Sequence, residues 1–211
     1  GVKHSFTARA VNSVGDSDPT ANAAVGWAYR TPTRPSATAT QVSAESTTQG
    51  TMSLDITTSD ATTGGFRVTA GEQTQNVTGA PAQAQFSGLA VGPVAWQVVP
   101  ISKHEVPPGD TADGEVASGS FALGGRPTVS LAATSAEGSD QVSITVSVNA
   151  NGGGEVTHGY ATAQGGGGGF PACEPTSQGG ASGDYTATGA IKKKMRISAC
   201  ARNEWGPSEV V

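Results

Sequence analysis

Phe6–Ser17 reads FTARAVNSVGDS, and Ile197–Ser208 reads ISACARNEWGPS. Aligned without a gap, the two share Ala8 with Ala199, Ala10 with Ala201, Asn12 with Asn203, Gly15 with Gly206 and Ser17 with Ser208. An apolar residue, Phe6 or Ile197, heads each copy. Small or apolar residues then alternate with polar ones and stop at Asn-x-x-Gly, the pattern of a half-buried strand running into a turn. The copies start at positions 6 and 197, hence 191 residues apart, about twice the roughly 100 residues of one β-sandwich module. A third, more diverged copy is therefore expected between them, and Trp96, Val98 and Pro100 occupy that place.

Composition agrees with many short strands. The chain of 211 residues has room for one large domain or two ordinary ones. Its charged share of 14% is too small for the high-charge signature of disorder. Thr and Val suit a pleated, half-exposed surface, while 30 Gly and 12 Pro supply turns and breaks. The expectation is an all-β protein made of sandwiches. A net charge of −5 without a basic stripe argues against nucleic-acid binding. With no run of about 18 apolar residues, no membrane span is expected. The first residues, GVKHSF, lack the apolar core of a signal, so an export signal would lie outside this sequence.

Read in order, residues 1–30 hold two strands, His4 to Asn12 and Ala23 to Tyr29, the last strands of a module. Two strands have no independent core. Thr31-Pro-Thr-Arg-Pro35 is a linker, because neither proline donates to a ladder. Residues 36–123 carry seven short strands. In this reading Gly64-Gly65 turns into Phe66, and Ser87–Pro93 makes a corner before Trp96. Gly124-Gly-Arg-Pro127 is a second linker. Residues 128–211 repeat the plan from Val142, Ile144, Val146 and Val148 to Met195–Ala201, and stop where Glu209–Val211 would open the last strand. Both ends of the sequence thus fall within modules.

Motifs that carry chemistry are scarce. His4, His104 and His158 share no ligand spacing, so neither metal nor cofactor is expected. Asp16, Asp18, Asp110, Asp113 and Asp184 are turn acids without the alternation of a calcium loop. No Gly-x-Ser-x-Gly elbow is present. The glycines at 165–169 precede no Lys-Ser/Thr and open no helix, which excludes a phosphate loop. The expectation is a chain without catalytic activity. Lys192, Lys193 and Lys194, with Arg196, form the one basic cluster. It suits an anionic cell-wall polymer, or a strand end that resists edge pairing. Asn76-Val-Thr78 matches a glycosylation sequon. Cys173 and Cys200 are compatible with one disulfide, worth roughly 3 kcal/mol in the chain-entropy model, or with two reduced thiols.

These residues resemble tandem fibronectin type III modules. The family carries Leu-x-x-Gly, an aromatic, alternating Val/Ala and then Asn-x-x-Gly-x-Ser. Leu89, Gly92 and Trp96 are similar to the corner, and residues 1–17 and 195–208 to the rest. The Ala/Thr/Gly-rich style is similar to arrays in secreted actinobacterial proteins. The resemblance implies that Phe6, Ala8 and Ala10 point into a core. It implies that Cys200, aligned with Arg9, faces outward, so a bond to Cys173 would run over the sheet and pin the glycine-rich segment. It places Lys103, His104 and Glu105 on the loop used by integrin-binding relatives, without the arginine of that motif, and Trp205 on an exposed turn. The function implied is an extracellular or cell-surface spacer of adhesion type. The alternatives are an accessory region of a secreted polysaccharide-degrading enzyme, and a binding module using Trp205 and the 103–114 loop. Expected partners are neighbouring modules, a cell-wall glycan or another protein, and a second chain whose open module the first strands would complete.

Overall fold

A computed structural model describes residues 2–21, 24–28, 30–106, 109–135, 138, 140–164, 171–175, 178–179, 182–188 and 195–211. Every regular element in it is a strand. In order these are β1 (Val2–Phe6), β2 (Val11–Asn12), β3 (Gly15–Asp16), β4 (Ala24–Ala28), β5 (Ser36–Ala44), β6 (Gln49–Thr57), β7 (Thr63–Ala70), β8 (Gln73–Thr78) and β9 (Ala82–Ala90). They continue as β10 (Gly92–Ser102), β11 (Ala117–Leu123), β12 (Thr128–Ser135), β13 (Gln141–Asn149), β14 (Thr157–Gln164), β15 (Gln178–Gly179), β16 (Ser182–Thr188), β17 (Met195–Asn203) and β18 (Gly206–Pro207).

One sheet plan occurs twice. A three-stranded sheet β5-β6-β9 accompanies a four-stranded sheet β11-β10-β7-β8. Later a three-stranded sheet β12-β13-β16 accompanies a four-stranded sheet β15-β14-β17-β18. In each set the first, second and fifth strands make the small sheet and the rest make the large one. This is an all-β architecture of small antiparallel sheets, consistent with tandem fibronectin type III-like sandwiches.

The chain clusters into two compact units whose boundary cuts across several strands. The first comprises Gly1–Ala39, Leu54–Ala84 and Ala95–Gly119. Leu54, Ile56, Phe66, Val68, Ala70 and Val98 are fully buried in it. Their spacing of two puts them on one face of each strand. Full burial stabilises each large side chain by about 1.5–3 kcal/mol. Ala70 and Gln73 pair across Gly71-Glu72, and Gly71 at φ 57° supplies the first position of a II′ turn. The second unit comprises Thr40–Ser53, Gln85–Val94 and Ser120–Val211. Its core gathers Ile144, Val146, Val148, Val156, Ala199 and Ala201, with Val129, Leu131, Tyr160 and Ile197 packed on it. His158, paired with Ala201, is buried at 1% exposure.

The two copies of the repeated stretch share a set of turn hydrogen bonds. Asn12 Oδ1 accepts from the Gly15 amide at 3.1 Å and the Val14 amide at 2.8 Å, and Asn203 Oδ1 accepts from the Trp205 amide at 2.9 Å. The Ala10 amide donates to Ser17 Oγ (2.9 Å), and that hydroxyl donates to the Asp18 carbonyl (3.0 Å). Ala201, Ser208 and Glu209 repeat this at 2.9 and 2.7 Å. Gly15 and Gly206 stand at φ 146° and 123°, where a side chain is strained. The Asn, Gly and Ser therefore recur because they build one turn.

Three expectations need correction. Phe6 is 58% exposed, and Ala8 and Ala10 are exposed as well. The ribbon of β1 and β4 is a two-stranded sheet, and among the described residues it leaves Phe6, Ala8 and Ala10 uncovered. Gly64 and Gly65 lie inside β7, and Thr58–Thr62 makes the turn. A Cβ on Gly65 would stand 2.6 Å from the Val77 carbonyl, so the glycine serves close strand approach. Ser87–Ala90 continues β9, leaving only Val91 between it and β10. At the C-terminus, Ala199 and Val211 exchange backbone hydrogen bonds of 2.8 and 3.1 Å.

Candidate functional site

In the linker Gly124–Pro127 every backbone amide and carbonyl of Gly124, Gly125 and Arg126 has a hydrogen-bond partner. The Gly124 amide donates to Gln41 Oε1 (2.8 Å), and Gln41 Nε2 donates back to the Gly124 carbonyl (2.6 Å). The Gly125 amide donates to the Asn151 carbonyl (2.8 Å), and the Gly125 carbonyl accepts from Asn203 Nδ2 (2.9 Å). The Arg126 amide donates to the Ser46 carbonyl (3.1 Å), and the Arg126 carbonyl accepts from Asn151 Nδ2 (3.1 Å). Pro127 has no amide to satisfy. The partners come from both sides of the linker, residues 41–46 before it and 151–203 after it.

The side chains there reinforce this pattern. Asn151 Nδ2 also donates to the Thr47 carbonyl, and Asn203 Nδ2 to the Ala150 carbonyl (3.0 Å). Arg126 Nε donates to the Ala44 carbonyl at 3.3 Å. Asn151 holds φ 53°, a conformation that asparagine tolerates better than most residues. Gly124 and Gly125 are buried, and their lack of Cβ serves contact. A Cβ on Gly124 would stand 2.8 Å from Trp205 Nε1 and 3.0 Å from the Gly152 carbonyl. One on Gly125 would stand 2.5 Å from Asn151 Nδ2 and 2.9 Å from the Thr47 carbonyl. Beside the linker is a cleft of about 210 Å³ whose rim carries Glu45, Arg126 and Glu209. The Thr51 hydroxyl and the Gly88 amide hold the Glu45 carboxyl below the usual carboxylate range.

The other linker is anchored on one carboxylate. Asp60 has a side chain only 1% exposed. Its Oδ2 accepts from the Thr33 amide (2.8 Å), and its Oδ1 from Arg30 Nη2 (3.1 Å), the Thr62 amide (2.9 Å) and the Thr62 hydroxyl (2.7 Å). These donors, the Thr62 hydroxyl first, push its carboxyl far below the usual range. Pro32 is fully buried, and its carbonyl accepts from the Glu115 amide at 3.1 Å. The long loop that returns to this point closes where Arg67 pairs with Asp113, a contact that raises the arginine further above its ordinary value.

The residues singled out from sequence sit as follows. Trp205 is half-buried with its indole against Gly124. Lys103 and Glu105 are exposed and His104 is half-buried. The Lys103 amide is tied to the Thr62 carbonyl at 2.9 Å. Lys192, Lys193 and Lys194 lie outside the described residues, as do the glycines at 165–169. Cys173 and Cys200 are joined in a disulfide with Cα atoms 5.9 Å apart. The sequence does not single out Gln41, Asp60 or Asn151. Asn151-Gly152 carries a local turn signal, whereas nothing near Asp60 or Gln41 in sequence announces a partner tens of residues away.

Among the described residues no group of three or more His, Cys, Asp or Glu could hold a metal ion. None of the described residues forms a helix long and apolar enough to cross a membrane. No family model and no curated protein matches the sequence. Solved structures include a distant likeness, the fibronectin(III)-like modules of Clostridium thermocellum CbhA. The identity is 18% over 82% of this chain and 90% of that chain, with a TM-score of 0.28.

Proposed function

We propose that this chain is a structural spacer of an extracellular, multi-module surface protein, acting by geometry and carrying no catalysis. The modules in this reading are residues 36–123 and 128–211, with 1–30 belonging to a preceding one and linkers at 31–35 and 124–127. The twice-used sheet order supports those boundaries. A disulfide in a chain otherwise free of cysteine suits an oxidising compartment.

The observation that carries the reading is the complete bonding of Gly124, Gly125 and Arg126. A flexible tether leaves its backbone to water. Here each amide and carbonyl of the three is held by Gln41, Ser46, Asn151 or Asn203. An ordered linker transmits orientation from one module to the next, which is what a spacer must do. Nitrogen-15 NMR relaxation tests this. Residues 36–123 and 128–211 are expected to share one rotational correlation time, and Asn203→Asp to split it in two. Independent tumbling of the two sets in the unaltered chain would sink the proposal.

A further inference from the structure

Ser198 and Cys200 lie on the face of β17 opposite Ala199 and Ala201, which belong to the core. That outer face should be wet, yet Ser198 and Cys200 are 0% and 3% exposed. The cover is the segment at residues 171–175. The Ser198 hydroxyl donates to the Pro171 carbonyl at 2.7 Å, and Cys200 is bonded to Cys173. On the neighbouring strand β14, Gly159 pairs with Cys200, and a Cβ there would stand 2.6 Å from the Glu174 carbonyl. The segment is thus a strap over the sheet, held by the Ser198 hydrogen bond, by close approach at Gly159 and by the covalent bond to Cys200.

We propose that the Cys173–Cys200 bond sets how far this chain extends under tension, and that a dithiol reductant resets that limit by attack at Cys173. The physiological meaning rests on the spacer reading above. While the bond is closed, tension passes from Cys173 to Cys200 through sulfur, and the residues between them carry none. Those residues include β15, β16 and the first part of β17. The two cysteines are 27 positions apart in sequence and 5.9 Å apart in space. At ~3.3–3.6 Å per extended residue, opening the bond lengthens the pulled path by roughly 85–90 Å.

Burial decides which sulfur is attacked. Cys200 is 3% exposed, whereas Cys173 is half-buried on the strap. One thiolate of the dithiol bonds to Cys173 Sγ, the Sγ–Sγ bond breaks, and Cys200 leaves as a thiolate. The second thiol of the reductant attacks its own sulfur in the mixed disulfide and releases Cys173. Two electrons pass to the protein sulfurs, two protons follow, and the reductant leaves as a cyclic disulfide.

The test is single-molecule pulling of the 211-residue chain by its ends, with and without dithiothreitol. The length released by the event that contains residues 128–211 should rise by roughly 85–90 Å on reduction. The double variant Cys173→Ser, Cys200→Ser should show the longer release in both conditions; if it does not fold, the unaltered chain with and without reductant still decides. Incubation with glutathione followed by peptide mass spectrometry should place the mixed disulfide on Cys173. Equal release with and without reductant, or an adduct on Cys200, overturns the proposal. Rupture forces in the same traces test the spacer reading separately: unfolding at forces near baseline counts against the spacer while the release length still reports on the bond.

Discussion

Asn203 holds its own turn with one end of its side-chain amide and Gly125 with the other: Oδ1 accepts from the Trp205 amide at 2.9 Å, and Nδ2 donates to the Gly125 carbonyl at 2.9 Å. The local half of that arrangement recurs at Asn12. The distant half makes a turn residue into a linker anchor.

Asn203→Ala should therefore cost about 1–3 kcal/mol, because it strips a partner from buried backbone. Asn203→Asp is expected to be the more disruptive at the linker. It keeps the acceptor that makes the turn but turns an oxygen toward the Gly125 and Ala150 carbonyls. Urea unfolding of the two variants, read beside NMR relaxation, checks the order. Equal behaviour of Asp and Ala would remove the linker from the role given to this amide.

Gly124→Ala should destabilise the chain by about 1–3 kcal/mol through overpacking, despite alanine's better intrinsic propensities. The added Cβ meets the Trp205 indole and the Gly152 carbonyl. Trp205→Ala in the same chain should recover only part of the loss, since the Gly152 backbone remains in place. Thermal unfolding of the single and double variants gives the answer; a neutral Gly124→Ala contradicts the packing argument.

Acid should loosen the first linker. The Asp60 carboxyl is depressed by its donors from an ordinary value of 3.8. A group depressed in the folded state contributes stability that is complete above its unfolded value and is lost as the pH falls below it toward the folded one. Melting temperature should thus decline below about pH 4 in the unaltered chain. In Asp60→Asn it should be lower at neutral pH and depend less on pH in that window. A melting profile from pH 2 to 7 with parallel curves for the two proteins would refute this role.

Phe6→Ser should change global stability by less than about 0.5 kcal/mol, as expected of an exposed position. Ile197→Ser, at the matching position of the other copy, removes a side chain packed on the Ile144 and Val146 core and should cost more. Chemical denaturation of both variants compares them directly. A large loss at Phe6 would mean that the first ribbon is covered in solution.

Alternation and turn chemistry were legible in the sequence because both are local. Val142 to Val148 announces a strand by its period of two, and Asn12, Gly15 and Ser17 with Asn203, Gly206 and Ser208 announce a turn by their spacing. Asn12 and Ser17, like Asn203 and Ser208, make their turn bonds within seven positions of themselves. The all-β class follows from them alone.

What covers a face, and what a glycine is for, came only from the tertiary structure. Phe6 and Ile197 are equivalent in pattern, yet one is 58% exposed and the other packs on a core, because burial depends on a second sheet that pattern cannot supply. Gly124-Gly125 reads locally as part of a linker and no more. Its glycines instead admit Trp205 and Asn151, and its backbone is bonded by Gln41 and Asn203 from 83 and 78 positions away. Sequence specifies the hydrogen-bonding capacity of those groups, and only the folded chain decides which distant partner satisfies it.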